Sequence, residues 1–404
     1  MITILLIFSS LYATMTALLW WGWVVSAVRR YGIIRHSREA NLADSAPNWP
    51  SGHAGKFRSD GPPALQFSVI IPVRNEAENL PHLLHDLAHQ TYPHFEVIVA
   101  DDSSTDNTVA LVRQLQQELS YPLHLLPLPD ERTGAPKKRA IAASIDLAQG
   151  DLILTTDGDC RVGPDWLLSY AECYTEPTRR TAPPRMMTGP VTFTPTGGVF
   201  AQLQIVEFAS LIGSGAATLA LGMPTMCNGA NLCYEKRVFR EVNGFAGIDH
   251  VASGDDELLM HKIAKRYPGG VRFVQDGRAI VRTASNQTWQ AFYNQRKRWA
   301  SKWRAYDSWQ PSALAVFVFL SNMAPVLAVL GGMLGWFSWL TVAVILALKC
   351  GLEFLFLRAV LRFLQQDRAV WWIPITQLVY PVYVLFFGLA AQKKGFTWKG
   401  RKLK

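Results

Sequence analysis

Phe67-Ser-Val-Ile-Ile-Pro72, Phe95-Glu-Val-Ile-Val-Ala100 and Asp151-Leu-Ile-Leu-Thr-Thr156 decide the fold. Each is a short run rich in β-branched residues, the composition that suits a buried strand. Between them lie stretches with helical patterning, Glu78 to His89 and Thr108 to Leu119. Strand–helix–strand alternation at this spacing predicts an α/β domain built on a parallel sheet. In such sheets ligands bind beyond the carboxyl ends of the strands. Each strand here runs directly into a polar cluster: Arg74-Asn75-Glu76, then Asp101-Asp102-Ser103-Ser104-Thr105-Asp106, then Asp157-Gly158-Asp159.

Three acidic clusters at three strand ends point to a cation-assisted site for a phosphorylated ligand. Two carboxylates one small residue apart offer hard oxygens to Mg²⁺ or Mn²⁺, which share their coordination with diphosphate oxygens. Zinc would call for His or Cys ligands. An isolated D-x-D is more often an Asp-rich turn. Its place after a buried strand, beside two sister clusters, favours the metal reading.

Outside this region the chain is greasy. Of 404 residues 49% are apolar and 18% charged, a mixture of soluble and membrane parts. Ile2 to Val28 carries no charge and exceeds the roughly 20 apolar residues that cross a bilayer core. It lacks the basic start and short apolar core of a cleaved signal peptide, so residues 1–28 read as a retained anchor. The formal net charge is +9. Basic residues crowd beside apolar runs, at Arg29, Arg30 and Arg35 and from Lys393 to Lys404. That is a juxtamembrane pattern, and no stacking motif for nucleic acid accompanies it. The five cysteines show no C-x-x-C pair, against a zinc site or disulfide framework.

The expected organisation is an anchor (1–28), a Ser-, Pro- and Gly-bearing linker (29–66), an α/β domain (67–303), a C-terminal apolar region (304–392) and a basic tail (393–404). Trp309 to Leu348 is long enough for two crossings with a turn near Gly331-Gly332 and Gly335. The second helix is expected to run on to Leu357, pairing Lys349 with Glu353 at i, i+4. Ala369 to Gln392 is broken by Pro374 and Pro381. One crossing before the domain and three after it would place the basic tail outside, against the positive-inside tendency. The Pro-interrupted last stretch is therefore expected to be re-entrant or interfacial. Phe200 to Met226, apolar and Gly-bearing, reads equally as a membrane-surface helix or a core helix.

The I-P-V-R-N-E start, the D-D-S-S-T-D turn and the D-G-D together resemble glycosyltransferase family 2 with its GT-A fold, a Rossmann-like nucleotide-diphospho-sugar transferase domain. Ser253-Gly254-Asp255-Asp256-Glu257-Leu258 resembles the family's E-D catalytic motif. Gln295-Arg296-Lys297-Arg298-Trp299 matches the Q-x-x-R-W motif of its membrane-bound branch, which includes ceramide glucosyltransferases and cellulose, chitin and hyaluronan synthases. The resemblance spans Phe67 to Trp303.

It implies a nucleotide-sugar donor, with uridine the expected base, and a divalent metal. Glu76 and Asp102 would contact the nucleoside, and Lys137, with Lys138, the diphosphate. Asp159 would bind the metal and Asp157 the metal or nucleotide. Asp256 would be the catalytic base, while Gln295, Arg298 and Trp299 close over donor and acceptor. Asn228, Gly229 and Asn231, in Cys227-Asn228-Gly229-Ala230-Asn231, would lie on the acceptor side, or simply form an Asn-supported turn. This chain departs from the family pattern in two places. Asp255 stands where the family usually has Glu, and Pro136 rather than Gly precedes Lys137.

The implied reaction is an inverting transfer. One carboxylate takes the proton from an acceptor hydroxyl, which attacks the anomeric carbon opposite the diphosphate. The expected acceptor is a membrane lipid, and the expected location an integral membrane protein with its catalytic domain in the cytosol. A processive polysaccharide synthase shares these motifs but would need more helices to line a polymer channel. A non-catalytic receptor for sugar nucleotides would not need the full acidic set.

Overall fold

The first strand, β1 (Phe67–Val73), pairs in parallel with β2 (Phe95–Asp101) and with β4 (Leu152–Thr155); β3 (Leu123–Pro127) extends the sheet beyond β2. In this computed structural model the described residues are 2–43, 65–130, 134–176, 182–195, 197–251, 253–300, 310–390, 396–398 and 401–403. The chain then adds β5 (Met186–Thr188), β6 (Val191–Phe193), β7 (Leu232–Glu235), β8 (Val271–Phe273) and β9 (Val281–Thr283). The main sheet runs β3-β2-β1-β4-β7-β5-β8, with β7 antiparallel to both neighbours. β6 and β9 form a separate parallel pair.

The alternation of the central strands explains why the sheet is buried on both faces. Val69, Ile71, Val97, Val99, Leu152 and Leu154 point into one apolar cluster. Ile70, Ile98 and Ile153 point into the other, against Ile141 and Ile145 of the Pro136–Leu147 helix. The mixed α/β sheet is the arrangement expected for a GT-A domain.

The Val199–Ala220 helix is a core element. Ile205, Phe208 and Ile212 join the cluster beneath the sheet. Its small residues admit other helices closely. A Cβ on Gly213 would lie 2.5 Å from Val360 Cγ2. The first helix, Ile2–Ala43, crosses it at Gly22, where a Cβ would lie 2.6 Å from the Ala217 carbonyl oxygen. The α/β unit is thus seated directly on the apolar helices.

After the domain, Gln310–Met333 leads to a turn at Gly335, whose φ of +73° suits glycine. Trp339–Leu346, a π-helical turn at Ala347–Gly351, and Leu352–Phe363 continue as one rod. The expected Lys349–Glu353 pair is present, at 2.7 Å, with Lys349 buried. Tyr12 and Gln377 also donate to Glu353, so three helices share one half-buried carboxylate. Pairing of this kind is what permits charge among apolar helices. Among the described residues five helices are long and apolar enough to cross a membrane, including Val199–Ala220, which is largely buried within the protein.

Two boundaries differ from expectation. The first helix continues to Ala43, so the interval that read as linker from residue 29 begins helical, and 44–64 lie outside the described residues. No hydrophobic punctuation ends that helix, because its charged second half still has good helix formers. The basic stretch, in turn, contains two short strands, β10 (Phe396–Trp398) and β11 (Arg401–Leu403), paired antiparallel. The Pro381-containing last helix, Ile373–Ala390, meets the α/β unit near its two ends and is largely exposed between them. Ile373 is buried in the main core, and Phe387 packs on Phe292.

Substituting Gly22→Val should force the first helix off Ala217. Overpacking of this kind costs about 1–3 kcal/mol. A thermal unfolding scan should show a lowered midpoint, whereas Ser10→Val, at an exposed position of the same helix, should not.

Candidate active site

The parallel pairing of β1, β2 and β4 delivers their carboxyl ends to one edge. Val73 is level with Asp101, so the turns that follow meet side by side. Both turns use left-handed backbone, at Asn75 (φ 54°) and Ser103 (φ 57°). They are laced together: Arg74 Nη1 donates to the Ser103 carbonyl at 2.7 Å, the Thr105 amide to Asn75 Oδ1 at 2.8 Å, and the Glu76 amide to Thr108 Oγ1 at 2.9 Å. The D-G-D turn packs on the same corner. A Cβ at Gly158 would lie 2.9 Å from Val73 Cγ1 and 3.1 Å from Glu76 Cγ, which explains the glycine between the two acids.

These turns open into a cavity of about 850 Å³. Glu76, Asp102, Asp157, Asp159, Asp255 and Asp256 line its polar part. Glu76 and Asp102 are buried, and Asp102 Oδ1 accepts from Arg139 at 2.9 Å. Lys137 Nζ lies 2.6 Å from Asp157 Oδ1 and 3.3 Å from Asp255 Oδ2, bridging the strand-end acids to the second acidic segment. Burial alone would push its ammonium down. Asp157 and then Asp255 overcome that, with the Asp157 hydrogen bond and Asp256 adding to them, and hold it well above the ordinary lysine value. The pairing is therefore fully present below the ordinary lysine value of about 10.4. It is lost only as pH rises through the raised one. Burial, then the neighbouring Asp159 and Asp157, pushes the Cys160 thiol up, so it stays protonated beside the D-G-D.

Asp256 caps the Glu257–Arg266 helix, its Oδ1 accepting from the Glu257 amide at 2.7 Å. Its Oδ2 accepts from the Gly229 amide at 3.0 Å. Gly254, at φ +77°, makes the bend that sets this cap. Gly229 is in turn held by Thr155 Oγ1, which donates to its carbonyl at 2.8 Å.

On the opposite side the Trp289–Ala300 helix presents Gln295, Arg298 and Trp299 to the cavity. The remaining wall is apolar, with Phe208, Leu211, Ile212 and Ala216 of the Val199–Ala220 helix, and Phe193 and Met226 beside it.

Two expected site residues are corrected. Asn231 does not line the cavity. It is fully buried, accepting from Trp166 Nε1 (2.9 Å) and Tyr170 (2.7 Å) and donating to the Pro190 and Ala279 carbonyls (both 2.8 Å). Its amide is spent on holding four segments together behind the site. Lys138 likewise turns away, donating to the carbonyls of Ile248, Val251 and Ser253. Adjacent helical positions face different ways, so only one of two neighbouring lysines reaches the cavity. Asn228 does line it, and its Oδ1 accepts from the Ala230 amide at 2.9 Å, an Asx-type turn.

Sequence reasoning also passed over Glu207, Arg296 and Tyr383. Arg296 is 3% exposed and forks onto Glu207, which also accepts from Tyr383 at 2.8 Å. A lone Glu in an otherwise apolar helix was the available signal.

Gly229 offers a local check. A Cβ there would lie 2.8 Å from Asp255 Oδ2 and 3.3 Å from Lys137 Nζ. Gly229→Ala should displace both and lower the rate of the site's reaction by roughly tenfold or more, since small misplacements of this kind cost up to about 100-fold. The overall fold, followed by circular dichroism, should persist.

The family profile described as Glycosyl transferase family 2 matches residues 68–193, and that of Glycosyl transferase family group 2 matches 152–390, more than half the chain. Glycosyltransferase AglE of Haloferax volcanii is 37% identical over 102 residues, 25% of this chain and 32% of that protein. Dodecaprenyl-phosphate galacturonate synthase of Rhizobium johnstonii is 33% identical over 104 residues, 25% of this chain and 30% of that one. The chain thus spans about a third of the length of these curated relatives. Among solved structures, the mannosyltransferase PcManGT of Pyrobaculum calidifontis, in complex with GDP-Man and Mn²⁺, aligns with a TM-score of 0.47 at 18% identity, covering 90% of this chain and 99% of that one. On the extent of the profile matches, this chain belongs to glycosyltransferase family 2.

Proposed function

We propose that the protein transfers a sugar, with inversion, from a nucleotide-sugar donor, a UDP-sugar, to a lipid acceptor at the membrane. The observation that carries this reading is the two-sided cavity. Its polar half lies at the strand ends, and its apolar half is the face of a helix that packs on the apolar helices. A water-soluble acceptor would gain little from Phe208, Leu211 and Ile212. A hydrocarbon chain is stabilised there by about 25 cal/mol per Å² buried. The name of the dodecaprenyl-phosphate relative agrees with a lipid acceptor.

In this reading Glu76 and Asp102 hold the nucleoside. Lys137 and Arg298 face the diphosphate, Lys137 exchanging carboxylate partners for phosphate oxygens. Gln295 and Trp299 close the donor side, and Asn228 and Gly229 border the acceptor. Asp157 and Asp159 would hold the divalent metal, Mg²⁺ or Mn²⁺. Their oxygen donors fit a hard cation. Among the described residues no group of three or more His, Cys, Asp or Glu side chains could hold a metal. The rest of the coordination would come from diphosphate and water, as hard cations at nucleotide sites commonly arrange. When bound, the ion offsets charge on the departing diphosphate.

Asp256 acts as the base. Two backbone amides, of Gly229 and Glu257, fix its carboxylate at the cavity wall. The nucleoside-binding domain faces the cytosol, where Arg29, Arg30 and Arg35 favour it. With the Pro-interrupted last stretch interfacial rather than fully crossing, the basic tail stays on that same side.

Chelation with EDTA should abolish transfer, and Mg²⁺ or Mn²⁺ should restore it; undiminished transfer in metal-free buffer would rule the metal out. Asp256→Asn keeps size and polarity but cannot take the proton. The turnover number should fall about 100- to 10,000-fold, the usual worth of a general base, with UDP affinity little changed. If Asp255→Asn is the damaging change and Asp256→Asn mild, the base is the neighbouring residue.

A further inference from the structure

The Trp289–Ala300 helix has two working faces. Gln295, Arg298 and Trp299 line the cavity. Trp289, Phe292 and Tyr293 pack on Phe386 and Phe387 of the last apolar helix, with ring centroids 5.7–6.3 Å apart across the two helices. Arg296 sits between the faces. Its guanidinium lies 4.5 Å from the Phe292 ring centroid and 4.3 Å from that of Trp299. Its Nε donates to Glu207 Oε1 at 3.2 Å and its Nη2 to Oε2. Glu207 Oε1 also accepts from the Tyr383 hydroxyl at 2.8 Å.

The network reaches the cavity wall through Gln295. Its Oε1 accepts from Arg296 Nη1 and from Asn286 Nδ2, the latter at 2.8 Å. Asn286 is held by Gln204, one turn before Glu207, through bonds of 3.0 and 3.1 Å. Gln295 thus has its carbonyl oxygen committed, which leaves its NH₂ for a ligand. Trp299 is pinned between the guanidinium and Phe208, whose ring centroid is 5.7 Å away.

A buried ion pair is a poor way to add stability, because apolar side chains of similar volume often serve as well or better. An apolar set could join these three helices. It could not hold the Gln295 oxygen or fix the Trp299 ring by its cation. We propose that Glu207, Arg296 and Tyr383 are positioning residues. They set Gln295 and Trp299 at the cavity wall and tie that setting to the last apolar helix. The kinetic part of this inference rests on the transferase reading above.

The test uses the full chain in lipid nanodiscs. Four quantities are measured: transfer kinetics, UDP affinity by calorimetry, the unfolding midpoint, and amide hydrogen exchange across residues 289–300. Glu207→Gln should lower the turnover number by about 100-fold, the scale of a small misplacement. UDP affinity should stay within about threefold, as expected when an interaction serves the chemical step rather than binding. Exchange should quicken in 289–300 and not in the sheet. Tyr383→Phe, which removes one hydroxyl, should show the same signs at a smaller size.

The double variant Glu207→Leu/Arg296→Met separates position from stability. It should regain the unfolding midpoint lost in Glu207→Gln while turnover stays low. Turnover recovering along with the midpoint would overturn the inference, as would wild-type turnover in Glu207→Gln. Should Glu207→Gln fail to fold, the double variant and Tyr383→Phe still decide the matter. Should the wild type transfer no sugar, the exchange data stand apart. Quickened exchange would then uphold the positioning network and sink the transferase reading, and unchanged exchange would sink the network too.

Discussion

Carboxylates crowded at one edge of a parallel sheet are the constraint on which this structure turns. Pairing β1 with β2 and β4 leaves no choice about where Glu76, Asp102, Asp157 and Asp159 go. The Glu257–Arg266 helix then adds Asp255 and Asp256 from the other side. Like charges gathered at one edge repel one another. The chain answers with specific cations and amides. Arg139 meets Asp102, Lys137 bridges Asp157 and Asp255, and backbone amides satisfy Asp256.

The part of this that was legible in the sequence is the part with long-range periodicity or fixed spacing. β1, β2 and β4 came within a residue or two of their observed limits, because each is a continuous β-branched run. The three strand-end clusters, Asp256 and the Gln295–Trp299 segment meet at one cavity, as their order along the chain implied. The short strands β5 to β9 were not legible, since three or four residues carry too little pattern. Nor was Asn231. An asparagine in a turn-like N-G-A-N segment looks like a solvent-side residue, and only the fold reveals that four buried partners consume its amide. Glu207 and Tyr383 were hidden for a related reason. A single polar residue in an apolar helix has meaning only once its partner, Arg296, is brought beside it.

The Val199–Ala220 helix links the soluble and apolar parts of the molecule. Of the two readings open at the outset, core helix or membrane-surface helix, its packing is that of a core helix. Ile205 and Phe208 belong to the core under the sheet, Gly213 and Ala217 receive the Leu352–Phe363 helix and the first helix, and Leu211 and Ile212 line the cavity. One element thus borders the chemistry and seats it on the apolar helices, and the close approach at its glycines makes that seat rigid.

The central claim is that sugar passes from a nucleotide donor to a lipid at this cavity. Its most direct test is product analysis: the purified full chain, incubated with Mg²⁺ or Mn²⁺, a panel of UDP-sugars and a total lipid extract, followed by mass spectrometry of the organic phase. The expected product is a lipid whose mass has risen by one sugar residue, formed together with UDP and absent with Asp256→Asn. A product that is a water-soluble polymer, or donor bound with no sugar transferred to any lipid, would contradict it.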